Sequence, residues 1–305
     1  MAFSQLYDQP LIGILTFPAS LESEGSVPEG NYTSFIDASY VKWVEGAGGR
    51  VVPVPYDTEP ANLGETLSNL NGLIFTGGPA MPEADETYFS TAAALFVAVE
   101  DLNKNGVHFP LWGTCLGLET ISSIVGGGQG AALTNFDAEN VSLVLDFTSE
   151  ARSSKMFSEM PEGMYEIFST RNITTNWHTF GVSPETFAAR VQPAGFTLLS
   201  TNADKENEEF VSTFEHETYP IFAVQWHPES NQYDTTDKEG DSTPDRTKEA
   251  VEGMQYLGNF LVNEARGNDN AVDGDKQFRD LVLVSNSVEG RRYFDGWKFW
   301  FNDFV

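Results

Sequence analysis

The 305-residue chain holds a single cysteine, Cys115, so neither an intrachain disulfide nor a multi-thiolate metal site is available, while the redox compartment stays open. It is also poor in cations: 17 Lys and Arg stand against 45 Asp and Glu, a formal charge of −28. Such a surface repels phosphate backbones and anionic lipid, which argues against nucleic acid or a membrane as partner and points to small molecules or proteins. No apolar run approaches the roughly 18–20 residues that span a bilayer. The stretch Met1 to Asp8 has no basic segment followed by an apolar one, so no secretory signal is read there. There is no internal repeat and no low-complexity tract. What is present is apolar mass, 40% of residues including 23 Phe, enough for a large core and contrary to disorder.

The apolar segments are short and alternate in type. Leu11 to Thr16 reads as a buried strand, followed by a helix from about Tyr32 to Ala47 with Ile36, Tyr40, Val44 and Ala47 on one face and Gly48-Gly49 as its cap. Arg50 to Val54 and Leu73 to Thr76 read as strands around a helical stretch carrying Leu63, Leu67 and Leu70. A longer helix near Thr91 to Asn103 precedes the strand Phe109 to Trp112. This alternation predicts βαβ units, hence an α/β fold with a mostly parallel central sheet flanked by helices, and ligands beyond the carboxyl ends of its strands. After residue 130 come short β-rich segments, Val141 to Phe147, Thr197 to Ser200, Phe210 to Phe214 and Ile221 to Trp226, read as β-hairpins added to the same domain. Asn231 to Asp241 is expected to be a solvated acidic loop, and a final helix to start at Thr243-Pro244 and run to Arg266-Gly267. One domain, 1–305, is expected, with 268–305 as a C-terminal extension whose aromatics pack back onto it.

Cys115 sits in Gly113-Thr-Cys-Leu-Gly117, after an apolar strand and before a helical pattern with Leu118, Ile121 and Val125 on one face. This is the thiol version of the G-x-S-x-G elbow, in which glycines relieve crowding around a strained, exposed nucleophile. The helix N-terminus would favour thiolate and lower the pKa below about 8.5. A buried inert cysteine is the plainer alternative. A thiolate needs a base, and His227 ends another apolar strand within Gln225-Trp-His-Pro-Glu229; Glu229, two residues on, returns to the same face to orient the imidazole. Gly77-Gly78 ends a neighbouring strand and, with the Leu116 amide, is placed to offer oxyanion donors. His108 has no such context, and His216 between two glutamates lacks further ligand spacing, so no metal site is expected. No cofactor is expected either.

Val51 to Val54, Gly72 to Pro79, Trp112 to Glu119, Asn176-Trp-His178 and Gln225 to Glu229 together resemble the γ-glutamyl hydrolases, cysteine peptidases on the class I glutamine amidotransferase fold. The likeness runs from the first strand to Phe260–Arg266 and is loosest in the tail. It implies hydrolysis of folyl and antifolyl poly-γ-glutamates through a thioester on Cys115, with His227 as base and then acid and Glu229 orienting it. By matching positions it also implies that Tyr40, Glu119 and His178 line the pocket for the γ-glutamyl unit. Glu119 would suit a free α-amino group and His178 an α-carboxylate. A core aromatic, a first-turn acid favouring the helix dipole and a satisfied loop histidine are the alternatives for these three. The resemblance further implies a homodimer with a lysosomal, vacuolar or secreted address. A glutaminase feeding a synthase, a hydrolase of other γ-glutamyl peptides and a non-catalytic γ-glutamyl-binding protein remain as rival readings.

Overall fold

The structure, a computed structural model, describes residues 9–22, 27–81, 85–128, 130–233, 244–272, 292–294 and 298–302. In chain order it runs β1 (Leu11–Leu15), β2 (Phe17–Pro18), β3 (Ser34–Asp37), α1 (Ala38–Gly46), β4 (Arg50–Val54), α2 (Leu63–Ser68), β5 (Gly72–Phe75), α3 (Glu86–Lys104), β6 (Leu111–Thr114) and α4 (Leu116–Val125). There follow β7 (Thr134–Leu143), β8 (Asp146–Phe147), α5 (Glu162–Thr170), β9 (Thr174–Gly181), the helical turn α6 (Pro184–Thr186), β10 (Phe196–Ala203), β11 (Glu209–His216) and β12 (Ile221–Val224). The chain closes with α7 (Ser230–Tyr233), α8 (Lys248–Arg266), β13 (Arg292–Phe294) and β14 (Lys298–Phe301).

The central sheet has eight strands in the order β4-β1-β5-β6-β12-β11-β10-β8. Pairing is parallel from β4 to β12 and antiparallel from β12 to β8, so the expected β-rich segments at Thr197, Phe210 and Ile221 extend the sheet, whereas Val141 lies in β7, which pairs with β9 in a separate two-stranded sheet. Strand side chains alternate between two cores. Leu11, Leu15, Leu73 and Phe75 face α2, α3 and α4, whereas Ile12, Ile14 and Ile74 face α1, α5 and α8. This three-layer arrangement is the class I glutamine amidotransferase-like α/β architecture expected above. Among the described residues no helix is long and apolar enough to cross a membrane.

Several boundaries differ from expectation: the helix expected from Thr91 begins at Glu86, the strand expected at Phe109 to Trp112 spans Leu111–Thr114, and three further differences have identifiable causes. The helix expected from Tyr32 begins only at Ala38, because Ser34 to Asp37 form β3 and pair with β2 and β14. Phe35 and Ile36 are buried in that small sheet, and their strand partner lies at the far end of the chain, where local periodicity cannot reveal it. The last helix starts at Lys248, after Thr247. The Asp245 carbonyl is held by Asn231 Nδ2 at 2.8 Å and Asp245 Oδ1 accepts from the Thr247 amide at 2.7 Å, which keeps this stretch out of the helix. Asn231, placed in a solvated loop, is instead wholly buried at the start of α7, while 234–243 lies outside the described residues.

The tail does pack back. β14 pairs with β3 over Lys298↔Asp37 to Phe301↔Ser34, and Trp300 and Phe301 are 1% exposed. Leu281 to Val284 and Trp297 lie outside the described residues. Lys298 Nζ lies 3.3 Å from both Asp37 Oδ1 and Glu22 Oε1. Burial nevertheless pushes the Asp37 carboxyl up to about 6 against that attraction. Trp300→Ala should lower stability by about 3–5 kcal/mol in urea unfolding, the usual cost of emptying a buried aromatic site. A loss below about 1 kcal/mol would show that the tail does not belong to the core.

Candidate active site

β6 stands between β5 and β12, with Gly113 paired to Phe75 on one side and Ala223 on the other. The turns after these three strands therefore open on one crevice: Gly77-Gly78, Cys115, and Gln225 to Glu229.

Cys115 is the one residue between β6 and α4 and adopts φ 51°, ψ −108°. Such a backbone costs a non-glycine residue about 1–3 kcal/mol and persists only where its surroundings impose it. Here its N–H donates to the Val224 carbonyl at 2.8 Å, and its carbonyl accepts from the Glu119 amide at 3.0 Å. Gly117 lets α4 begin against β5, because a Cβ there would lie 2.1 Å from the Phe75 carbonyl oxygen. The thiol lines a cavity of about 210 Å³. The expectation of a depressed thiol pKa is reversed: burial pushes Cys115 up and outweighs the opposing pull of His227 and the Leu116 amide. Desolvating a buried thiolate costs more than one helix end returns.

His227 follows β12, and its N–H donates to the Thr175 carbonyl at 2.9 Å. Its Nδ1 lies 2.7 Å from Glu229 Oε1, a contact that fixes the ring. Nε2 is left without a well-formed hydrogen bond, and the ring is in electrostatic contact with the Cys115 thiol. Burial works against the imidazolium, but Glu229 and Cys115 override it and hold His227 well above its ordinary range. A Cβ on Gly77 would lie 2.5 Å from His227 Cε1 and 3.1 Å from Cys115 Cβ, so the glycine leaves the room in which thiol and imidazole meet.

The remaining expected residues divide into cavity wall and support. Gly78, Leu116, Glu119 and His178 line the cavity with Cys115. Gly77 does not offer a free donor, since its N–H donates to Tyr40 Oη at 2.8 Å. Tyr40 stands behind the imidazole, its Oη 3.5 Å from His227 Nδ1, and is 2% exposed; it is a buttress and not part of the cavity wall. His178 is held by the Phe180 carbonyl at 2.7 Å on Nδ1 and lies 3.2 Å from Asn176 Oδ1 on Nε2. Burial lowers its pKa to about 4, so it contributes a neutral ring and not a cation. Two neighbours carry no role in the sequence reading although both lie in the quoted motifs: Gln225, whose Nε2 donates to Glu119 Oε1 at 2.9 Å, and Trp177, which lines the cavity beside His178. Among the described residues no group of His, Cys, Asp and Glu is arranged to hold a metal ion.

A thiol on a strained strand-to-helix turn, an imidazole held by a carboxylate and a small cavity at the thiol are an arrangement suited to nucleophilic hydrolysis. Residues 10–229 match the Peptidase C26 family. The chain is 39% identical to γ-glutamyl hydrolase B of Dictyostelium discoideum, over 91% of this chain and 78% of that protein. It is 37% identical to γ-glutamyl hydrolase of Mus musculus, over 92% and 86% respectively. Its fold is similar to that of a solved putative GMP synthase component from Thermoplasma acidophilum, at a TM-score of 0.50 and 16% identity, covering 84% of this chain and 95% of that one. The chain belongs to the Peptidase C26 family and is a hydrolytic enzyme.

Burial raises the Glu119 carboxyl from 4.5 to about 7 against the Gln225 bond and the His227 charge. The folded protein thus keeps a proton that the unfolded chain has already lost across that window. Stability accordingly falls as pH rises through it, and Asp37 acts in the same sense up to about 6. Glu119→Gln should flatten the fall between about pH 5 and about pH 8 by about 1–3 kcal/mol, read from urea midpoints. An unchanged slope would contradict a buried proton on Glu119.

Proposed function

We propose that the chain hydrolyses γ-glutamyl bonds in folyl and antifolyl poly-γ-glutamates through a thioester on Cys115. The observation that carries the reading is Cys115 at the cavity wall with His227 in contact with its thiol and Glu229 on the far imidazole nitrogen, in a chain similar over most of its length to γ-glutamyl hydrolases. Cys115 Sγ attacks the γ-carbonyl carbon as His227 Nε2 takes the thiol proton, and the oxyanion forms against the amides of Gly78 and Leu116. The C–N bond breaks as His227 returns its proton to the departing α-amine of the next glutamate. A water deprotonated by His227 then attacks the thioester, releasing the γ-carboxylate and restoring the thiol.

Glu229 keeps the imidazole in the tautomer whose Nε2 faces the thiol, and Tyr40 supports the ring from behind. In a poly-γ-glutamate the amine of the acyl unit is itself acylated, so Glu119 meets an amide N–H and need not carry a full charge. The homodimer and the lysosomal, vacuolar or secreted address implied by the family resemblance go with the same reading.

Purified protein incubated with folyl-pentaglutamate should yield shortened folates by mass spectrometry and no ammonia from free glutamine; ammonia alone would make it a glutaminase. Cys115→Ala should abolish turnover, and residual activity above about one part in a thousand would contradict the thiol nucleophile. Glu229→Gln should lower kcat by at least about tenfold with a smaller change in KM, because orienting the imidazole matters most in the transition state. An unchanged kcat would remove Glu229 from the mechanism.

A further inference from the structure

His227 is surrounded by groups whose roles are accounted for, with one exception. Glu229 and Ser230 follow β12, Tyr40 comes from α1, Cys115 and Glu119 stand at the start of α4, and His178 lies on β9. The remaining contact is Trp177, whose ring lies 5.2 Å from the His227 ring centroid to centroid, tilted by 52°. That separation falls inside the roughly 6 Å over which an aromatic face attracts a cation.

The local fold holds Trp177 there. β9 pairs with β7, but Asn140 at φ 56° forms a bulge, so that Glu139 pairs with Trp177 and Val141 with Asn176. A bulge of this kind bends the ribbon and re-aims side chains, and Trp177, His178, Thr179 and Phe180 all line the same cavity. The Thr175 carbonyl, two residues earlier, accepts the His227 amide, which fixes β9 to the base itself.

Resting on the thiol–imidazole reading above, we propose that Trp177 is a positioning residue whose indole face stabilises His227 as imidazolium and thereby favours the attacking thiolate on Cys115. A merely apolar wall would do the reverse, since excluding water from the ring disfavours its charged form. An indole at this distance can cover the imidazole and also offer it a negative face, which an aliphatic side chain cannot. Its replacement by leucine keeps the cover and removes the face, while phenylalanine retains a weaker one.

Cys115 is the only cysteine, so alkylation by iodoacetamide reports this thiol alone. The rate is followed against pH in the wild type, Trp177→Phe and Trp177→Leu, with thermal unfolding as the check on folding. The half-maximal pH should move up by about half to one and a half units in Trp177→Leu and by less in Trp177→Phe, with kcat falling more than KM rises. Superimposed profiles, or equal shifts for Phe and Leu, would overturn the role of Trp177. A wild-type rate with no pH dependence would overturn the thiol–imidazole reading beneath it. Should Trp177→Leu not fold, the milder Trp177→Phe decides alone, by shifting or by superimposing.

Discussion

The site depends on how closely α4 approaches β5. With no side chain at Gly117, the first turn of the helix lies directly against the Phe75 carbonyl, and the chain has only Cys115 in which to pass from strand to helix. That single residue is driven to positive φ, and its backbone is fixed on both sides by Val224 and Glu119. The strain is the means by which a side chain that would otherwise enter the core is set at the cavity. Because β5, β6 and β12 are adjacent in the sheet, the same edge brings Gly77 and His227 beside Cys115. The missing side chain at Gly77 is then the second space on which the pairing of thiol and imidazole depends.

Charge in this region is arranged by burial as much as by pairing. Glu119, Asp37 and Cys115 all hold their protons more tightly than in water because burial disfavours their charged forms, whereas Glu229 and Cys115 raise the proton affinity of His227 against its own burial. Among the described residues of the cavity wall there is no Lys or Arg to offset the negative charge of the chain locally. Lys298 is the cation that the C-terminal strand lays between Asp37 and Glu22, three residues before Tyr40 in the case of Asp37. The tail is in this way part of the structural support of the site, although it lies outside the stretch that matches the family.

Where partners are near in sequence or carry strong local signals, the reading from sequence holds. The strands at Leu11, Arg50, Leu73 and Ile221 and the strand-to-helix turn at Cys115 are all where alternation and glycine placement put them. Ser34 to Asp37 escapes such a reading because a strand needs a partner, and this one comes from Lys298 to Phe301. The Cys115 pKa runs against expectation because a helix end can be read from sequence and the depth of burial cannot. Tyr40 shows the same limit, since its position on a helix says that it faces inward but not that it lies behind the imidazole. Trp177 is visible within Asn176-Trp-His178, yet its contact with His227 is set by the irregular pairing of β9 with β7, which the sequence does not show.

The central claim is that the acyl group passes through Cys115. Rapid acid quenching of the enzyme during turnover of folyl-pentaglutamate, followed by peptide mass spectrometry, tests it most directly. The peptide containing Cys115 should gain the mass of the acyl portion of the substrate, and lose it when the thioester is treated with hydroxylamine. Turnover with no adduct on that peptide, or with the acyl group on another residue, would contradict a thioester at Cys115.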